Sequence, residues 1–204
     1  MSPEKARAVA AIRGGDVVVL PTDTVYGLAA DGLRSEPVAS LYRLKGRSPG
    51  QPTALVATSV DVLVECVPEL GGAVEAVLRG LLPGPFTLVV PNPAHRLPWL
   101  TGSRPEVIGI RVPQLSGSVD AVLREVGAVA ATSANLPGGG DPRTLEEIPE
   151  ALIEGVAAVV DGGPLPGIAS TVVDLTGALP LILREGAVAA SVALERIRAA
   201  TSSL

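Results

Sequence analysis

Residues 170–184 read STVVDLTGALPLILR: two apolar segments, STVVDL and LPLILR, separated by the short break TGA. Runs rich in valine, isoleucine and leucine, parted by a few residues that include glycine, are the pattern of a β-hairpin. Upstream, the chain alternates short apolar runs with helical stripes, as in folds where strands and helices form separate packed layers. A hairpin closing such a series implies an α/β protein with a mixed sheet.

Reading outward from that hairpin, residues 3–14 are expected to form an N-terminal helix stopped by Gly14-Gly15. DVVVLP (16–21) reads as a buried strand closed by proline. A second helix is expected over 36–46, with Ser35 as N-cap and Pro37 in the first turn. TALVAT (53–58) is a strand candidate. Val74, Val77, Leu78 and Leu81 repeat at i, i+3, i+4 and i+7, the stripe of an amphipathic helix, which PGP (83–85) ends before the strand FTLVV. VIGIRV (107–112) and AVAAT (128–132) are strands flanking a helix with the stripe Val119, Val122, Leu123, Val126. A short helix near 144–154 precedes VAAVVD, and a last helix covers about 189–200. With no internal repeat and no linker longer than a loop, residues 1–204 read as a single domain.

The chain is 204 residues long, 47% hydrophobic and only 2% aromatic, so its core must be built from Val, Leu, Ala and Ile. A formal net charge of −5 argues against nucleic-acid binding by bulk positive charge, so any anion site must be a local concentration of cations. Cys66, the single cysteine, lies in the apolar run VLVECV and is expected to be a buried inert thiol; His95 in NPAHRLP is expected in a loop. One Cys and one His leave no zinc site to assemble. Early charges at Glu4, Lys5 and Arg7 argue against a signal peptide, and no segment approaches 18 unbroken apolar residues. A cytoplasmic protein, with no membrane partner, is the default expectation.

Five polar islands stand at the ends of the expected strands: PTDTVYG (21–27), KGRSPGQP (45–52), Arg111 in GIRVP, TSANLPGGG (132–140) and STVVD…LREG (170–186). Strand ends are where open α/β sheets collect their sites. Of 16 basic residues only Lys5 and Lys45 are lysine, so lysine at 45, two residues before Arg47, is notable. The pair reads either as a solvated helix end or as a compact ammonium beside a planar fork, which suits a phosphate chain next to a carboxylate or carbonyl. Ser133 and Asn135 alternate and can face one side; a simple turn or cap is the other reading. PGGG lacks the Lys-Ser/Thr ending of a phosphate loop and reads better as a hinge or lid. In VIGIRV, Arg111 shares a face with Val107 and Gly109, opposite Ile108, Ile110 and Val112. Arg111 there, and Arg184 at the end of LPLILR, either meet an anion or pair with a carboxylate such as Asp23 or Asp174.

In order and over nearly the whole chain, PTDTVYGLAAD, LYRLKGR…QP, LLPGPFTLVV, IGIRVP, ATSAN, GIASTVVDL and LREGAV make the sequence resemble the YrdC-like domain of threonylcarbamoyl-AMP synthases. The family's Lys-x-Arg and Ser-x-Asn pairs fall on Lys45, Arg47, Ser133 and Asn135. The resemblance implies a twisted mixed β-sheet flanked by helices around a concave, positively lined cavity. It implies synthesis of L-threonylcarbamoyl-AMP and pyrophosphate from L-threonine, bicarbonate or CO2, and ATP, for modification of tRNA. Partners would be those substrates and a downstream threonylcarbamoyl transferase machinery acting on tRNA, with a weak RNA contact left open. Mg2+ would accompany ATP without dedicated protein ligands. The chain resembles the single-domain form, since it ends soon after LREGAV.

That resemblance assigns Lys45 and Arg47 to ATP phosphates and the carbamate, and Ser133 and Asn135 to threonine and nucleotide. Arg111 would pair with the threonine carboxylate, with Thr22 and Thr24 on the threonine side and Ser170 on threonine or a phosphate. Gln51, Thr144 and Arg184 would contact ATP. Two features depart from relatives: Ser48 stands where proline is common, and Gln51-Pro52-Thr53 replaces a basic or amide residue followed by Pro-Leu. A same-fold protein that binds RNA or nucleotide without making the adenylate is the alternative, and a double-stranded RNA-binding module a more distant one. A hydrogenase-maturation carbamoyltransferase domain is also related, but its companion zinc-finger and acylphosphatase segments are not seen here.

Overall fold

The computed structural model describes residues 2–115 and 118–201. Helix α1 spans Pro3–Gly14 and ends at Gly15, whose φ of 96° only glycine adopts freely. The strands are β1 (Val18–Pro21), β2 (Tyr26–Asp31), β3 (Ala54–Ala57), β4 (Phe86–Pro91), β5 (Val107–Arg111), β6 (Ala128–Ser133), β7 (Ala158–Val159), β8 (Thr171–Asp174) and β9 (Leu181–Arg184). The other helices are α2 (Ser35–Lys45), α3 (Val60–Cys66), α4 (Ala73–Leu81), α5 (Ser118–Val126), α6 (Glu150–Glu154) and α7 (Ala190–Thr201).

All these strands join one sheet in the order β7-β1-β2-β6-β3-β5-β4-β8-β9. The pairs β1/β7, β3/β5 and β4/β8 are parallel and the rest antiparallel, with β8 and β9 forming the closing hairpin. The sheet is therefore mixed, as the hairpin implies.

The register separates two faces. Leu55 pairs with Ile110, Ile110 with Leu88 and Leu88 with Val173, a row of buried apolar side chains on one face. The larger core, with Leu41 of α2, Leu63 of α3, Leu78 of α4 and Ile197 of α7, builds on that row. On the other face, Ala8, Val9 and Ile12 of α1 and Val119, Val122 and Leu123 of α5 pack on Val18, Leu20, Ala29, Val56 and Val129. Farther along that second face, Thr87, Gly109, Arg111 and Val172 are only half-buried. An open hollow lies there, beyond the cover of α1 and α5.

Five local expectations change. Strand β2 was not anticipated, because YGLAAD carries glycine and alanine rather than β-branched residues; it forms because both its faces are covered. Helix α3 starts where the Ser59 hydroxyl accepts from the Val62 amide, inside what reads as a featureless apolar run. Arg34 rather than Ser35 holds the N-cap position of α2. The helix expected near 144–154 is split by Pro149 into a 3-10 turn, Leu145–Glu147, and α6. Of VAAVVD, only Ala158–Val159 pair as a strand. His95 sits exposed in the β4–β5 connection with φ 52°. Cys66 is half-buried, and burial, then Glu65, pushes its thiol pKa up, away from the reactive thiolate.

Gly186 ties the end of the hairpin to the hollow. A methyl group there would stand 2.6 Å from Ser170 O and nearer still to Ala169 O, both backbone atoms that cannot yield without moving the strand. Gly186→Ala should destabilise the fold by about 1–3 kcal/mol, read as a lower denaturation midpoint; an unchanged midpoint would contradict this packing.

Candidate functional site

Lys45 is the last residue of α2, and the left-handed Gly46 (φ 67°) turns the chain so that Arg47 leaves at an angle to the helix. The Lys45 side chain is buried, with 5% of the residue exposed. Its ammonium donates to Ser133 O at 2.5 Å, Asn135 O at 2.9 Å and Asn135 Oδ1 at 2.7 Å. Three rotatable protons meet three oxygens, a geometry that a planar guanidinium cannot match. This accounts for lysine at a position where the composition favours arginine. The Ser133 hydroxyl donates to Asn135 Oδ1 at 2.7 Å, and Asn135 Nδ2 donates to Gly139 O at 2.7 Å. The TSAN segment and the glycine loop after it are thus gathered around one cation.

Arg47 reaches across the end of β6. Its Nη1 donates to Thr132 Oγ1 at 3.2 Å, its Nη2 donates to Pro52 O, and its guanidinium lies 6.0 Å from the Tyr42 ring centre. Arg111 Nη2 donates to Asp23 Oδ1 and, at 2.8 Å, to Thr24 Oγ1; Asp23 Oδ2 also accepts from the Gln114 amide at 3.0 Å. Both members of this ion pair are close to 10% exposed. The carboxylate reading of Arg111 is met by Asp23. The Nε atoms of Arg47 and Arg111 are buried and have no hydrogen-bond partner among the described residues.

The threonines of PTDT form a directed chain. Thr24 Oγ1 accepts from Arg111, Thr22 Oγ1 lies 2.9 Å from Thr24 Oγ1, and Thr22 Oγ1 donates to Val25 O at 2.7 Å. With one proton per hydroxyl, Thr24 must donate to Thr22. On the far side, Ser170 Oγ lies 2.8 Å from Thr87 Oγ1, and Arg184 Nη2 donates to Ser170 O at 2.9 Å.

These groups surround a cavity of about 220 Å³. Of the residues singled out from sequence, Thr22, Arg47, Arg111, Ser133, Ser170 and Arg184 line it. Lys45, Asn135 and Thr24 stand directly behind that lining, each bonded to a residue in it or beside it. Two are not brought in. Gln51 is exposed, its Oε1 accepting from the Ser48 amide, and the Thr144 hydroxyl bonds Glu146 before the 3-10 turn. Thr87, Thr132 and Asp141 also line the cavity and were not assigned. A threonine inside FTLVV is a polar break in an apolar strand and could have been noticed; Asp141 depends on how the glycine loop closes. Three guanidiniums against one lining carboxylate make this a local cationic hollow in an acidic chain.

Comparison with known proteins agrees with this architecture. The Sua5/YciO/YrdC family model, described as "Telomere recombination", matches residues 10–186. A Mycobacterium tuberculosis relative is 38% identical over 182 residues, covering 89% of this chain and 83% of the relative. The threonylcarbamoyl-AMP synthase of Bacillus subtilis is 33% identical over 189 residues, covering 91% of this chain and 54% of that protein. The crystal structure of Pyrococcus abyssi Sua5 complexed with L-threonine superposes with a TM-score of 0.78 at 32% identity, over 88% of this chain and 53% of that one. The chain thus spans about half the length of the Bacillus and Pyrococcus proteins. It belongs to the Sua5/YciO/YrdC family.

Burial, and then the neighbouring Arg47 charge, push the Lys45 pKa down to about 8, with Asp141 acting weakly the other way. The unfolded chain therefore holds more protons than the folded one between about pH 8 and about 10.4. The contribution of this group to stability is greatest above that window and is lost as pH falls through 8. The three-oxygen clamp, by contrast, is complete only below pH 8. The Lys45 Cε resonance, one of only two from lysine, should titrate with its midpoint near pH 8; a midpoint at the ordinary lysine value of about 10.4 would contradict the buried setting.

Proposed function

We propose that the chain makes L-threonylcarbamoyl-AMP and pyrophosphate from L-threonine, bicarbonate or CO2, and ATP. The observation that carries this reading is the cavity lined by Arg47, Arg111 and Arg184 with Ser133 and Ser170, supported from behind by Lys45 and Asn135. Relatives named threonylcarbamoyl-AMP synthase support it, as does a family structure that holds L-threonine.

The reaction joins two anions, a threonine carbamate and the ATP α-phosphate, and builds charge on departing pyrophosphate. It requires positioning and charge stabilisation rather than a protein nucleophile. Arg47 and Arg184, which line the cavity, receive phosphate and carbamate oxygens on their guanidiniums. Arg111 takes the threonine carboxylate while Asp23 and Thr24 fix its orientation. Thr22 and Ser170 face the threonine. Lys45 acts through Ser133 and Asn135, holding them where they meet threonine and nucleotide.

A magnesium ion would shield the triphosphate. The cavity offers it one lining carboxylate, Asp141, and the described residues contain no cluster of three metal-ligating side chains. The phosphates and water must therefore supply most of its ligands. The product would pass to a transferase acting on tRNA. A net charge of −5 gives RNA little to hold by bulk attraction, which leaves any direct RNA contact weak. Among the described residues no helix is long and apolar enough to cross a membrane; the reading places the reaction in the cytoplasm and takes residues 1–204 as one YrdC-like domain.

Purified protein given labelled bicarbonate, ATP and L-threonine should form the labelled adenylate, with pyrophosphate release dependent on all three. Arg47→Ala removes a charge-assisted contact of about 1.5–3 kcal/mol and should lower product formation about 10- to 150-fold. Absence of the adenylate with the unaltered chain would refute the function, and near-normal synthesis by Arg47→Ala would refute the role of Arg47.

A further inference from the structure

The cavity has one element that the reading above leaves without a task in the organic chemistry. Asp141 is the single carboxylate among the described lining residues; its oxygens make no hydrogen bond or close ion pair with the described residues, and its one electrostatic partner is the Lys45 ammonium, which it does not touch. The nearby Asp23 is already committed to Arg111 and to the Gln114 amide. Asp141 is nevertheless held in place. The loop before it is pinned by Asn135 Nδ2 on Gly139 O at 2.7 Å. Immediately after it, Pro142 O accepts from the Tyr26 amide at 3.0 Å, and the Arg143 amide donates to Glu147 Oε2 at 2.7 Å. A fixed carboxylate that faces a hollow with three guanidiniums, that acts on the Lys45 ammonium only through space, and that has no hydrogen-bonded partner among the described residues is a site for a positive charge.

A free amino acid arrives as a zwitterion. Arg47, Arg111 and Arg184 attract its carboxylate and repel its ammonium, so the positive end has one favourable place in this cavity. We propose that the Asp141 carboxylate receives the α-ammonium of the amino-acid substrate, an assignment that rests on the reading of the chain as a threonine-using synthase. Arg111 and Asp141 then hold the two ends of the zwitterion and set which way the amino acid enters. Once the nitrogen has become part of a carbamate it is no longer cationic, and the interaction ends. Asp141 therefore acts in capture of the amino acid and not in binding of ATP. A dedicated metal ion is the poorer occupant, because a divalent cation seeks several oxygen ligands and only one carboxylate lines the cavity.

The test compares two ligands by titration calorimetry without ATP or Mg2+: L-threonine, and 2,3-dihydroxybutanoate, which keeps the carboxylate and hydroxyl but has no ammonium. Asp141→Asn should bind L-threonine 10- to 100-fold more weakly than the unaltered chain. It should bind the dihydroxy acid at least as tightly, which also reports an intact fold. Asp141→Glu should keep the preference for threonine. If Asp141→Asn binds L-threonine within threefold of the unaltered chain, or loses both ligands equally, the inference is overturned while the synthase reading stands. If the unaltered chain binds no L-threonine at all, that reading falls and the inference with it.

Discussion

Lys45 places a buried ammonium against three oxygens of one short segment, and the site is arranged around that contact. Ser133 is the last residue of β6, and Asn135 lies two residues beyond it, past the bond from the Ala134 amide to Tyr26 O of β2. The ammonium adds three contacts there, to Ser133 O, Asn135 O and Asn135 Oδ1. Asn135 then passes the constraint to Gly139. One cation at the end of α2 thereby fixes the course of a loop that would otherwise have few contacts. Its cost is visible in the lowered proton affinity of the amine: burial and the Arg47 charge oppose the protonation that the clamp requires.

The second constraint is the sheet itself. Its apolar rows face α2, α3, α4 and α7, while α1 and α5 cover only part of the opposite face. Side chains of β4, β5 and β8 that point away from the large core come out beside an uncovered hollow. There the period of two along each strand presents Thr87, Arg111 and Val172 instead of core residues. An acidic protein can hold three guanidiniums in that hollow because each is already anchored by a local oxygen: Thr132 and Pro52 for Arg47, Asp23 and Thr24 for Arg111, Ser170 for Arg184. The anchors remove the entropy of ordering long side chains before any ligand arrives.

Much of this was legible because the signals were violations of a strong pattern. In a chain so apolar, arginine at the end of VIGIRV or LPLILR must have a reason, and both residues do line the cavity. The closing hairpin was legible for a similar cause, two β-rich runs around a glycine-containing break. Strand β2 was not, since YGLAAD owes its conformation to neighbours on both sides rather than to its own residues. The sequence could offer Asp23 or an external anion to Arg111 but not choose, because the choice depends on how the PTDT turn folds back on β5. The direction of the Lys45 side chain was equally hidden: whether an ammonium at a helix end faces water or a strand end is decided by tertiary packing. Gln51 and Thr144 look like site residues by position, yet each satisfies its side chain with a near neighbour. Asp141 gave no sign at all, since only the closed loop brings it to the hollow.

The central claim is that the Lys45 ammonium holds the segment from Ser133 to Asp141 in place. Amide hydrogen exchange on Lys45→Met, which keeps the length of the side chain and removes its charge, tests it most directly. The account predicts that Ala134 and Gly139, whose amides donate to Tyr26 O and Leu136 O, exchange about 10- to 100-fold faster, while amides of the Leu55–Ile110–Leu88–Val173 rows keep their protection. Unchanged exchange at Ala134 and Gly139 would contradict it.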